Sequence, residues 1–246
     1  MKLPTIQGVI QSRLLLNYRV APEVLKAMLP SPFRPKLANG FAIVGICLIR
    51  LRGLRPSLLP GGWGISVDST AHRVAVEWSI GSTMQTGVYI FRRDCASRFV
   101  RLLGGRVFPG VHSKASVNVI ESDDQIQWDV KTRYGVGDLS IDVATNCLMP
   151  LTSALGSLES AREFFAEGAC GYSPRRSGGN LDGVKLCIPD FRLMPAQVNS
   201  LRSSFFENQL IFAGGSIEFD SAFLMRDIVH HWQVMENQPV ALGRVG

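Results

Sequence analysis

The chain has 246 residues, 46% hydrophobic and only 19% charged, which supports a sizeable core and excludes a disordered polar tract. Its longest apolar runs, such as Phe41 to Ile49, contain about half of the roughly 20 residues a transmembrane helix needs, so no membrane span is expected. Net charge is +6, unevenly spread: sixteen Lys/Arg face four Asp/Glu up to Asn118, and ten face sixteen from Val119 on, so the two halves carry +12 and −6.

The basic residues are scattered singly or in pairs among apolar neighbours (Arg50, Arg52, Arg55; Arg92, Arg93), with no lysine-rich tail. That pattern argues against nucleic acid and for a small anionic ligand held where halves of opposite sign meet. The five cysteines, Cys47, Cys95, Cys147, Cys170 and Cys187, are widely spaced and form no CxxC pair. They read as reduced core thiols rather than zinc ligands. The opening segment "MKLPTIQGVIQSR" lacks the continuous apolar stretch of an export signal, so a cytoplasmic protein is expected.

In chain order, "SRLLLNYRV" (Ser12 to Val20) predicts a strand, and "PEVLKAMLP" a short helix with Pro22 in its first turn and Pro30 at its end. "FAIVGICLIRL" is a continuous, partly β-branched run that suits a buried strand. "HRVAVEWSI" and "TGVYIFRR" predict paired strands about a turn near Gly81 and Ser82. "DCASRFVRLLGG" predicts a short helix capped by Asp94 and stopped by Gly104. Three strand-like runs follow, "SKASVNVIE", "QIQWDVKTRY" and "DLSIDVAT", the last alternating as a half-buried antiparallel strand does. "SARE" at Ser160 to Glu163 has the capping-box pattern of a helix that carries Phe164 and Phe165 and stops at Gly168. "GVKLCIPDFRLMP" predicts one or two further strands, and "DSAFLMRDIVHHW" a helix. Many strands with a few short helices indicate a single α+β domain over residues 1–246, an antiparallel sheet curled into a barrel or cone.

Two stretches carry a family resemblance. "LLLNYRVAPEVLKAMLP" resembles the opening of acetoacetate decarboxylases, and "LLGGRVFPGVHSKASV" their catalytic segment, where a Gly-Arg pair precedes a lysine tandem. With "GVYIFRRD" and "SSFFEN", the wider match is closest to the YqjF-like domain-of-unknown-function group of that superfamily. The resemblance implies an enclosed apolar cavity, a small carboxylate or keto ligand, no cofactor, and decarboxylation through an imine. Such chemistry needs a neutral lysine, which desolvation or a neighbouring cation supplies. Aligned on Gly105-Arg106, the imine-forming position falls on Ser113 and its helper on Lys114. A serine cannot form the imine, and moving Lys114 into its place requires a one-residue slip that turns the side chain to the opposite face of a strand.

The resemblance also implies that Tyr18 and Arg19 face the cavity, with Arg19 gripping a substrate carboxylate through its planar fork; a bridge to a surface acid is the alternative. Arg106 and Ser113 join them as candidate ligand contacts, and Lys114, Glu77 and His112 are the candidate catalytic groups. Glu77 alternates with apolar residues and either faces the interior or pairs with Lys114 or Arg73. His112 is a candidate general base because its ordinary pKa lies near neutrality. No metal is expected: His230 and His231 are adjacent and diverge, and no HExxH spacing occurs. Paired phenylalanines at Phe164-Phe165 and Phe205-Phe206 suit core packing or a homo-oligomer contact. The expected function is a small-carboxylate or keto-compound binder without imine chemistry. The alternatives are a lyase using Lys114 and a noncatalytic ligand-binding or assembly module.

Overall fold

The computed structural model describes residues 5–103, 110–145, 147–175 and 179–239. In chain order the elements are β1 (Ile6–Val20), α1 (Pro22–Lys26), β2 (Arg34–Pro35), β3 (Leu37–Ala38), β4 (Phe41–Pro56), β5 (Ile65–Ile80), β6 (Thr83–Cys95), α2 (Arg98–Leu103), β7 (His112–Glu121), β8 (Gln125–Thr132), β9 (Leu139–Ala144), α3 (Leu158–Glu167), β10 (Cys170–Pro174), β11 (Asn180–Cys187), β12 (Met194–Ser203) and β13 (Ile217–Pro239). The thirteen strands form one sheet. Among the described pairings only β6–β7 and β6–β10 are parallel.

The sheet closes on itself in two ways. Strands β13, β1, β4, β5, β6, β10 and β11 run side by side, and β11 pairs back onto β13, giving a smaller ring. From β6 the sheet also continues through β7, β8, β9 and β12 to β13, giving a larger one. Five strands, β13, β1, β4, β5 and β6, form a wall common to both. The α+β fold expected from sequence is therefore present, as a ring of strands rather than a plain barrel.

A shared wall buries both faces, and such strands read as unbroken apolar runs instead of alternating ones. Along β1, Leu14 and Leu16 pack into one core while Leu15 packs into another. Along β4, Val44, Ile46 and Leu48 join the first core, and Ile43 and Cys47 the second. The run "FAIVGICLI" thus owes its continuity to two cores rather than one.

Two local expectations are corrected. "DSAFLMRDIVHHW" lies within β13, where Phe223, Leu224 and Met225 are fully buried between cores and the backbone pairs with β1 from end to end. Tertiary pairing outweighs the helix reading there. Asp94 does not cap a helix. It ends β6 fully buried, and Ser97 Oγ instead accepts from Val100 N at the start of α2. In α3 the cap is Ser157, whose hydroxyl accepts from Ser160 N, and the helix ends at Gly168. Phe165, Phe205 and Phe206 are buried in the cores.

Candidate functional site

The smaller ring encloses a cavity of 140 Å³. Every strand of that ring contributes to its wall, from Arg13 on β1 to Trp232 on β13, and Phe165 of α3 and Val100 of α2 help to close it. Three arginines reach it: Arg13, Arg73 and Arg93.

Side-chain alternation places the first two. Arg13 shares a face with Leu15, and Arg73 with Ala71 and Ala75, while Leu14, His72 and Val74 point into the larger core. Small neighbours leave Arg73 its room: Ala71 and Ala75 flank it, and Gly45 lies directly across on β4. Arg93 arrives differently. Pairing between β5 and β6 matches Arg73 with Ile90 but His72 with Arg92, so Phe91 is an extra residue in β6. Such a bulge reverses the side-chain phase beyond it. Val88 and Ile90 line the cavity before the bulge, and Arg93 after it. Arg92 is turned to the other side, where its guanidinium grips the buried carboxylate of Asp94 at 2.7 and 2.8 Å.

The partners of the cavity arginines are weak. Among the described residues Arg13 donates to two sulfurs, Cys47 Sγ at 3.3 Å and Met225 Sδ at 3.8 Å. Arg73 is 3% exposed; its Nη2 donates to Asn17 Oδ1 at 2.9 Å, while Nε and Nη1 are buried without a partner among the described residues. Its guanidinium lies 5.0 Å over the ring of Phe165. Asn17 is held in place because its amide nitrogen donates to Ser221 O, which leaves Oδ1 for the arginine. Arg93 Nε donates to Ser173 Oγ at 3.0 Å. Burial draws both Arg73 and Arg93 down to about 10, so both stay charged at neutral pH. No Asp or Glu lines the cavity among the described residues. Asp182, which lies within electrostatic reach of Arg93, is engaged by Arg175 at 3.3 Å and by Gly110 N at 3.0 Å.

His112, at the start of β7 and beside Arg93 in the register, also lines the cavity. Burial, then the charge of Arg93, lowers its pKa to about 3, so the ring is neutral and its Nδ1 is free to accept a hydrogen bond. The assembly is three cations, one neutral imidazole, one thiol and the residues Ser69 and Thr70 among apolar side chains. Such a set of donors is complementary in charge to an anion.

The other sequence candidates lie elsewhere. Lys114 is exposed on β7 and does not line the cavity, and Ser113 beside it is half-buried and also outside it. Glu77 pairs with Arg34 at 2.8 Å. Arg19 pairs with Glu218 at 2.7 Å and donates to Thr152 O at 2.9 Å, away from the cavity. Tyr18 is buried against Phe206 and Phe219 on the larger-ring side, and burial raises its pKa. Arg106 falls outside the described residues. Lys36 stands beyond Phe165, bonded to Glu167 at 2.6 Å and 4.3 Å over the ring of Phe164. Sequence reasoning missed Arg13, Arg73, Arg93 and Cys47, although one signal was present for Arg73: an arginine between small or apolar residues of the same phase, as in Ala71-His72-Arg73-Val74-Ala75.

Residues 9–217 match the DUF2071 family, described as an uncharacterized conserved protein. The chain belongs to this family. No curated protein matches it. Among solved structures, this DUF2071 chain resembles the acetoacetate decarboxylase of Legionella pneumophila with a TM-score of 0.63, 14% identity, and coverage of 95% of this chain and 88% of that one. An acetoacetate decarboxylase-like enzyme from Sphingomonas wittichii gives 0.58 at 11% identity over 99% and 94%. The enduracididine biosynthesis enzyme MppR, complexed with the condensation product of pyruvate and imidazole 4-carboxaldehyde, gives 0.60 at 9% identity over 97% and 90%. At such identities these likenesses establish that the DUF2071 chain shares the acetoacetate decarboxylase-like fold.

Proposed function

We propose that the protein binds a small carboxylic or keto acid in the cavity of the smaller ring, without forming an imine. The observation that carries this reading is the convergence of Arg13, Arg73 and Arg93 on one cavity with no carboxylate facing them among the described residues. Removing an ion from water costs several kcal/mol even after relaxation. An anion seated among these guanidinium groups would offset that cost and satisfy the free Nε and Nη1 of Arg73. A similar fold holds pyruvate in MppR, which is consistent with a keto acid as ligand.

Titration calorimetry with pyruvate tests the proposal. Wild type should bind, and Arg73→Met should weaken binding roughly ten- to a hundredfold, since a charged hydrogen-bonded partner contributes roughly 1.5–3 kcal/mol. Equal affinity in the two proteins would sink the idea. Imine formation has its own test. Incubation with a β-keto acid followed by borohydride reduction should leave the Lys114 peptide unmodified by mass spectrometry, because that exposed amine has neither the desolvation nor the enclosure that imine catalysis requires. A reduced adduct on Lys114 that disappears in Lys114→Ala would restore the lyase reading.

A further inference from the structure

The arginines occupy one end of the cavity only. Strand register supplies the scale. On the β4–β5 ribbon, Arg73 lies opposite Gly45, Ala71 opposite Cys47, Ser69 opposite Ile49, Val67 opposite Leu51, and Ile65 opposite Leu54. Arg93 pairs with Ala71, and Arg13 with Ile49. All three arginines therefore start from the levels of Arg73, Ala71 and Ser69. Their anchors hold the guanidinium groups there: Arg13 turns toward Cys47 and Met225, Arg73 toward Asn17 and Phe165, Arg93 toward Ser173. His112, paired with Arg93, belongs to the same end.

Past Ser69 the character changes. Leu51, Leu54 and Val67 continue the cavity wall, joined by Val100, Leu186 and Trp232. These six belong to or pack on a separate apolar cluster, distinct from the one that holds Cys47 and Phe165. From the Ser69 level to the Leu54 level is four residue steps along β5, about 13 Å at roughly 3.3 Å per residue. No charged side chain lines that stretch among the described residues.

We propose that the ligand is an amphipathic acid: a carboxylate, with or without an adjacent keto group, seated among Arg13, Arg73 and Arg93, and an unbranched hydrocarbon tail running toward Val67, Leu54 and Trp232. This inference rests on the carboxylate reading above and adds the chain-length class. The size agrees. At ~10–15 Å³ for each water-sized position, 140 Å³ takes roughly ten non-hydrogen atoms. Pyruvate leaves much of that space empty, whereas a keto acid of medium chain length fills it. A dicarboxylate fits poorly, because its second charge would enter a stretch with nothing to pair it.

Calorimetry at pH 7 with the series of straight-chain 2-keto acids from pyruvate to 2-oxooctanoate decides the matter. Each added methylene should tighten binding roughly fourfold until the tail end is full. Two variants move that limit in opposite directions: Val67→Phe should shift the best ligand to a shorter chain, and Leu51→Ala to a longer one. The result that overturns the inference is an affinity that stays flat or falls with chain length, or 2-oxoglutarate binding more tightly than the monoacid of equal length. Those outcomes, with pyruvate still bound, leave the carboxylate reading standing. Absence of binding by every acid in the series removes both.

Discussion

A guanidinium buried with two nitrogens unpartnered destabilises the fold that holds it, and Arg73 is in that position. Replacing buried charge with apolar volume is often neutral or stabilising by ~1–4 kcal/mol, offset here by ~1–3 kcal/mol for the Asn17 oxygen left without its donor. In the absence of ligand, Arg73→Met is therefore expected to unfold at the same or a higher urea concentration than wild type. Loss of more than about 2 kcal/mol would mean that the side chain is a strut and not a receptor. The same logic separates Arg73 from Arg92, whose bidentate grip on buried Asp94 is self-contained. Removing Arg92 would strand that carboxylate. Each of these arginines sits one place from an apolar neighbour in the sequence, and the presence or absence of a facing acid in the fold distinguishes them.

Elements position the site through two backbone features. The bulge at Phe91 exchanges the roles of Arg92 and Arg93. A reading of β6 by strict alternation from Val88 and Ile90 puts the wrong arginine in the cavity, because a bulge is a pairing event between two strands and leaves no mark in either alone. The other feature is Gly45, where a Cβ would lie 2.0 Å from Leu16 O on β1. That close approach brings β1 and β4 together opposite Arg73. Gly45→Ala is expected to cost about 3 kcal/mol or more in urea unfolding and to weaken ligand binding through the displaced strands. Wild-type stability in that variant would show that β1 and β4 have slack the close approach denies. The strand pattern itself was legible from "HRVAVEWSI", "TGVYIFRR" and the three runs after residue 112. The segment "DSAFLMRDIVHHW" was not, because its partner β1 lies some two hundred positions away in the chain.

At the scale of the molecule, the rings share a wall that buries histidines on both sides. His72 is fully buried against Phe205, with centroids 4.7 Å apart, and neither ring nitrogen has a partner among the described residues. Burial holds His72 and His112 down to about 3 and His230 to about 4, from an ordinary value of 6.5. Each is neutral when folded, whereas the unfolded chain takes up the proton below about pH 6.5. Stability is thus fully present above that pH and falls as pH drops toward 4, with about three protons taken up on unfolding near pH 5. His72→Phe should reduce that uptake to about two, measured as the slope of unfolding free energy against pH for the ligand-free protein. An unchanged slope would place His72 in contact with water.

What the amino-acid sequence determined by itself was the chemistry available and the class of fold: a chain rich in strands, poor in lysine, with excess arginine in its first half. Propensity, periodicity and turn residues are local, so these features survive without knowledge of partners. Tertiary structure decided which arginines share a space, that Lys114 faces outward while His112 faces in, and that one end of the cavity is cationic and the other apolar. Those facts come from register, bulge and ring closure, which join residues far apart in the chain, and a site is made of such distant neighbours.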